Sequence, residues 1–380
     1  MNEISKILEK VQHDKDFTNL IQSNFLEFVV ANGIEIPKEI LISEIKEYFN
    51  KHTYNPDSKG LNKARGAISN YYKEEGIVIS KENIILTAST SESYTQIFSN
   101  FTKPGQEILF PNPCYPLFEY LAKYSNITPK FYKLDEDNGW KINLKDLEKS
   151  ITKKTVGIVL ISPNNPTGTI SSQKEIKQIE LIAKKHNLFI IFDEVFSEFR
   201  SEKDFPRPTM NNEVKIFILN GISKMIALPD LKLAWIAIPG SDNKIIDKLE
   251  TSNDTYLNAN YLTQSLIPTL LPYRKTIAKN INSILNINRN SLKILINKYP
   301  KFIKGNIGTG GIHSILKLNT SLDEEKLVLK FLSKKNLLVH PGYFYDIKST
   351  NKSSHIVISF LNESRSFKKA LELLAEIQTL

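Results

Sequence analysis

Between about residues 80 and 240 the chain repeats one pattern: a short apolar run, a polar or helical stretch, then another apolar run. The runs are ENIILTAS, QEILFPNP, TVGIVLISP, NLFIIFDEVF, VKIFILNGIS and KLAWIAIPG. Several are rich in Ile, Val and Phe and lack the polar alternation of a strand with one wet face. They predict strands buried on both sides. SSQKEIKQIELIAKKHN, between two of them, predicts a helix. Ser172 and Glu175 make a capping-box pattern, and Ile176, Ile179 and Ala183 recur on one face. Strand, helix, strand in alternation predicts an α/β fold, with a mostly parallel sheet covered by helices.

The two ends of the chain read differently. Residues 1–45 and 271–380 carry longer helical patterns, such as KTIAKNINSILNINRNSLKILINKY, and a few strand-like runs, GIHSILKL, LLVHPG and HIVISFL. They predict a smaller α+β domain built from both termini around a large domain over 46–270, a division that 380 residues accommodate. Hydrophobic residues at 41% and charged residues at 24% exclude a disordered or collagen-like chain. The single cysteine, Cys114, excludes an intrachain disulfide, and a structural zinc site is not expected. A reducing cytoplasm suits such a chain.

The first residues, MNEISKILEKVQHDKDF, hold no apolar signal core, so no secretory leader is expected. No apolar run nears the ~18 residues that span a bilayer, so no membrane partner is expected either. Lys and Arg number 50 against 41 Asp and Glu, a net charge of +9. The lysines are scattered, with only short clusters such as KKT and KKH. A solvated surface or an anionic small molecule is expected rather than a nucleic acid.

In open α/β sheets, ligands bind beyond the carboxyl ends of the strands. After ENIIL come Thr87, Ala88, Ser89, Thr90, Ser91 and Glu92. Hydroxyls and free N–H groups at a strand-to-helix turn suit a phosphate; alone, this feature reads first as an ordinary Ser/Thr N-cap. After EILF comes PNPCYP, presenting Tyr115. After IVLI comes SPNNPTG, with Asn165. After FIIF comes Asp193, and after IFIL come Ser223 and Lys224. Asp193 alone could be a helix cap and Lys224 a surface lysine. Together they put an acid, an amide, an aromatic ring, a lysine and a hydroxyl cluster on one sheet edge.

SPNNPTG, FDEVF and SKMIALPDLKLAWIAIPG, in that order, resemble the class I/II aminotransferases, the fold-type-I enzymes that use pyridoxal phosphate. Tyr54…Gly60…Arg65 resembles that family's Y…G…LR element, and NPCYP its P-x-YP turn. GTGGIHSILKL and LLVHPGYFYD resemble its small-domain strands. The resemblance runs from about residue 24 to residue 375 and implies a role for each matching position. Lys224 would form the Schiff base with the cofactor aldehyde and shuttle the proton at the substrate Cα. Asp193 would pair with the pyridine nitrogen, Asn165 would donate to the ring oxygen, and Tyr115 would stack on the ring. Ser89, Thr90, Ser91, Ser223 and Lys232 would hold the phosphate. Tyr54 would reach the phosphate from a neighbouring subunit, implying a homodimer with shared active sites. The reaction implied is amino transfer between an amino acid or amine and a keto acid.

The chain departs from that pattern at four places. Phe196 stands where the family has a tyrosine that donates to the ring oxygen. Lys232 stands for a phosphate-binding arginine, a point charge for a fork. Val357 stands where an arginine clamps the substrate α-carboxylate, with Arg365, His340, Tyr343 and Lys232 as weak substitutes. The family's small glycine near the N-terminal substrate loop falls around Asn32 and Gly33. The lost clamp keeps a second reading open, a lyase, decarboxylase, cyclase or oxidase with the same cofactor. A third, a non-catalytic binding or regulatory protein, is disfavoured because Lys224 and Asp193 are both kept.

Overall fold

All six apolar runs become strands of one sheet in the computed structural model. It describes residues 3–12, 14, 16–21, 24–35, 37–51, 53, 55–202, 204–208, 213–240, 243–257, 259–350 and 352–376. Among them, the strands in chain order are β1 (Thr18–Asn19), β2 (Ile84–Thr87), β3 (Glu107–Asn112), β4 (Thr128–Asp135), β5 (Lys141–Ile142), β6 (Thr155–Ile161), β7 (Phe189–Asp193), β8 (Ile216–Gly221), β9 (Ala234–Ala237), β10 (Ile303–Gly305), β11 (His313–Leu318), β12 (Leu337–Leu338), β13 (His340–Pro341) and β14 (Ser354–Ser359).

The large sheet has the order β2-β9-β8-β7-β6-β3-β4-β5. Its centre, from β8 through β7, β6 and β3 to β4, is parallel, whereas β9 runs antiparallel to both β8 and β2. The missing polar alternation has a direct cause in β7. Ile190 and Phe192 enter the core on one face, and Ile191 enters the separate core on the other. Helices cover both faces, including Gln173–His186, whose capping box between Ser172 and Glu175 forms as expected. β4, within TPKFYKLD, escaped the sequence reading. It alternates exposed and covered positions near the sheet edge, so it carries no continuous apolar run.

A second, four-stranded antiparallel sheet has the order β10-β11-β14-β13. The run LLVHPG splits: β12 leaves this sheet to pair in parallel with β1. The 25-residue helix Arg274–Lys298 packs against β10 of this sheet. Its buried Arg289 donates to the Gly311 carbonyl oxygen at 2.6 Å.

The two sheets meet where NPTG touches GTGG. Gly310 N–H donates to the Gly168 carbonyl oxygen at 2.9 Å. Gly168 sits at φ +68°, a conformation glycine adopts without strain. A Cβ on Gly308 would lie 2.2 Å from that same oxygen, inside any allowed contact. Gly308→Ala is therefore expected to force the two backbones apart and cost about 1–3 kcal/mol. A thermal melt showing no loss relative to wild type would contradict this interlock.

Candidate active site

The strand directions bring the chemistry to one edge. β3, β6, β7 and β8 are parallel. β2 runs the same way as β8, because each is antiparallel to β9. Their carboxyl ends deliver Ser89–Ser91, Tyr115, Asn165, Asp193 and Lys224 to the same side. A cavity of about 250 Å³ lies there, lined by Thr90, Ser91, Tyr115, Asn165, Asp193 and Lys224.

Asp193 ends β7 with only 5% of its surface exposed. Its carboxylate accepts from Tyr94 Oη at 2.9 Å and from Val195 N–H at 3.1 Å. No cation pairs with it among the described residues. Burial therefore wins over the two donors and pushes its pKa up to about 6. Lys224 lies in the short helix Ile222–Met225 directly after β8. Burial, with the charge of Lys232 second, lowers its pKa to about 8. Its Nζ sits 4.8 Å from the centre of the Phe25 ring, so a side chain from the N-terminal segment covers it.

Asn164 builds the turn that presents Asn165. Asn164 Oδ1 accepts from Thr167 N–H and Oγ1, and its N–H donates to the Thr169 carbonyl. Asn165 Oδ1 is buried with no hydrogen-bond partner among the described residues. Ser89 is the N-cap of the helix Thr90–Phe101, its hydroxyl accepting from Glu92 N–H at 3.1 Å. The bland and the functional readings of this serine thus coexist. Thr90 and Ser91 open the helix, with their N–H groups outside its ladder, and both residues line the cavity.

Three expected residues do not line the cavity. Ser89 is occupied as the cap beside it, Ser223 precedes Lys224, and Lys232 is exposed, although its charge reaches Lys224. Tyr54 lies outside the described residues. Tyr94 was missed. A buried tyrosine on an amphipathic helix carries no local sign that its hydroxyl reaches a strand end 99 residues away.

The description "Aminotransferase class I and II" matches residues 19–356 of this chain. The chain belongs to this family. It is an aminotransferase of the class I and II type, and the family uses pyridoxal phosphate. Glutamate-pyruvate aminotransferase AlaA of Escherichia coli (strain K12) is 30% identical over 324 residues, covering 82% of this chain and 79% of that protein. Tyrosine aminotransferase of Dictyostelium discoideum is 27% identical over 331 residues, covering 83% of this chain and 79% of that one. The crystal structure of an aminotransferase from Escherichia coli superposes with a TM-score of 0.86 at 26% identity, covering 100% of this chain and 95% of the other. The lyase, decarboxylase, cyclase or oxidase reading is not favoured by these relatives.

This aminotransferase keeps the departures read from its sequence. Phe196 lines the cavity without a hydroxyl. Val357 is buried in β14. Arg365 is exposed at the start of the helix Ser364–Ala375, where its N–H donates to Glu363, and it does not line the cavity. No arginine lines the cavity among the described residues.

Proposed function

We propose that this aminotransferase holds pyridoxal phosphate in the cavity between Asp193, Lys224 and the start of the helix Thr90–Phe101, and moves an amino group from an amino acid or amine to a keto acid. The observation that carries this reading is Asp193, a buried carboxylate with no cation among the described residues and a pKa pushed up to about 6. A buried acid in that state fits a cationic ring nitrogen. The N–H groups of Thr90 and Ser91 at the helix start supply donors for a bound anion, and Asn165, at the cavity wall, has an amide to offer the ring.

When bound, the cofactor supplies an electron sink for the substrate Cα. Asp193, itself held by Tyr94 and Val195, would orient the ring nitrogen and keep it protonated. Tyr115 would cover one ring face, and the Asn165 amide N–H would donate to the ring oxygen. Thr90 and Ser91, which line the cavity, would hold the phosphate, with Ser89, Ser223 and Lys232 beside them as further candidates and Tyr54 proposed to reach it from a neighbouring subunit. Lys224 would hold the cofactor through its aldehyde carbon and, once free, would carry the proton from the substrate Cα to that carbon. Its depressed pKa keeps part of the amine neutral near pH 7, as a base requires. Phe25, above the amine, excludes water.

A homodimer with shared sites is part of this reading. The helix Lys38–Lys51 has no buried residue, and it exposes Ile40, Ile42 and Phe49 at 42%, 54% and 73%. Apolar surface of that kind suits a subunit contact. The proposed division is a large cofactor-binding domain over 46–270 and a small domain from 1–45 and 271–380. The eight-stranded and four-stranded sheets support it, although the first boundary falls inside the helix Lys38–Lys51. A cytoplasmic location is proposed with it; no described helix is long and apolar enough to cross a membrane.

The test is the visible spectrum of the purified protein with added pyridoxal phosphate, before and after a panel of amino acids and amines. A cofactor band that one donor bleaches and a keto acid restores is expected. A band that no donor alters, with release of carbon dioxide or ammonia, would overturn amino transfer.

A further inference from the structure

An amino acid or keto acid brings a carboxylate to this site, and no arginine lining the cavity meets it among the described residues. The four-stranded sheet offers something else. Paired residues in antiparallel strands point to the same side, and so do residues two apart. β11 pairs His313 with Ser359 and Ile315 with Val357. β13 pairs His340 with Val357. His313, Val357, Ser359 and His340 therefore share one face, with the two histidines on the strands either side of β14 and offset by two residues along it. The His313 end of β11 lies against the NPTG turn that presents Asn165, since a Cβ on Gly168 would meet the His313 carbonyl oxygen at 3.1 Å, and Lys224 is among the charges that lower the His313 pKa.

We propose that His313 and His340 together recognise the carboxylate of the amino acid or keto acid substrate, from the two strands that flank Val357. The proposal rests on the aminotransferase reading above. His313 Nδ1 is buried with no hydrogen-bond partner among the described residues. A buried nitrogen without a partner is costly unless a ligand supplies one. His340 sits among aromatic rings, 5.5 Å from Phe344 and 6.5 Å from Tyr345 by ring centres. The same turn, with Tyr115, lines a second cavity of about 210 Å³ beside the first.

Burial holds His313 down to about 3, with His340 and Lys224 adding to the effect, and burial alone holds His340 down to about 4. Both rings are neutral at pH 7, each with one N–H donor and one acceptor. The titratable groups around them are the partner imidazole, Lys224, and the Tyr345 phenol, which burial keeps protonated. No carboxylate acts on either ring among the described residues, so none competes for these donors.

The experiment compares acids with the amines formed by removing their α-carboxyl: L-alanine with ethylamine, L-tyrosine with tyramine, and L-glutamate with 4-aminobutyrate. His313→Phe and His340→Phe keep the bulk and remove the donors. His313→Asn and His340→Asn keep a neutral N–H and guard against a folding defect. Holoenzyme of each is also titrated with propionate, which cannot react. Each Phe variant should raise KM for the acids and the propionate Kd by about 10–100-fold, the worth of hydrogen bonds to a charged group. Its kcat should change less than about 3-fold, kinetics with the amines should be unchanged, and the Asn variants should recover most of the loss. Equal losses on acid and amine, or an unchanged propionate Kd in folded Phe and Asn variants, would overturn the proposal. A wild type that transfers no amino group from any donor would instead contradict the aminotransferase reading, with the propionate titration still judging the histidines.

Discussion

Lys224→Ala should lower kcat for amino transfer by about 1000-fold or more, because it removes both the group proposed to bind the cofactor aldehyde and the proposed base at the substrate Cα. The protein should still fold. Lys224 forms no ion pair among the described residues, and burial disfavours its charge. Lys224→Arg should not rescue activity, since a guanidinium stays protonated and supplies no free amine. The pH dependence follows from the pKa of about 8. The neutral amine is the reactive form, so its fraction rises with pH and levels off above about 8. Cofactor-free protein should therefore be labelled at Lys224 by an added aldehyde at a rate that rises to about pH 8 and then flattens. An ordinary lysine would keep gaining rate toward pH 10. Substantial turnover in Lys224→Ala, or a labelling rate still climbing at pH 10, would contradict the role given to this side chain.

Asp193→Asn should have two opposite effects. Activity should fall by about 100-fold or more, because an amide cannot keep a ring nitrogen protonated. The cofactor-free protein should become more stable at neutral pH. The carboxyl is raised from 3.8 to about 6 in the folded state. An acid whose folded pKa is raised favours folding only while protonated. The cost of its charge starts above the unfolded value and is complete above about pH 6. A shift of that size is worth about 3 kcal/mol at pH 8 and nothing below about pH 4. An asparagine, which can still accept from Tyr94, avoids that cost. Thermal melts of cofactor-free protein at pH 8 and pH 4 check the prediction. Added pyridoxal phosphate should raise the wild-type Tm more than that of the variant. A variant less stable than wild type at pH 8 without cofactor would sink this account of Asp193.

The same two residues explain why so much was legible beforehand. Strands buried on both faces must be written as unbroken Ile, Val and Phe runs, and parallel strands must all end on one edge. The residue after each run is then a candidate by position, which is how Asp193, Asn165, Tyr115 and Lys224 were found together. Where a strand is half-exposed, as β4 is, the run disappears and so did the prediction. Contacts made across the fold left no local mark. Tyr94 reaches Asp193 from a helix, Phe25 covers Lys224 from the N-terminal segment, and Gly308 closes on Gly168 because there is no room for a side chain. Ser89 shows the limit of motif reading, since one hydroxyl caps a helix and borders the site at once. His340 was already a weak candidate for the missing clamp, but His313 was hidden for the same reason. Only strand register shows that His313 and His340 flank Val357 on one face.

The central claim is that Lys224, among 380 residues, is the side chain that binds the cofactor aldehyde. Reducing the pyridoxal-phosphate-loaded protein with borohydride and mapping the modified peptide by mass spectrometry tests it most directly. The account predicts the cofactor fixed to Lys224 in near-stoichiometric amount, and none fixed in Lys224→Ala. A label on Lys232 or another lysine, or no label at all, would contradict it.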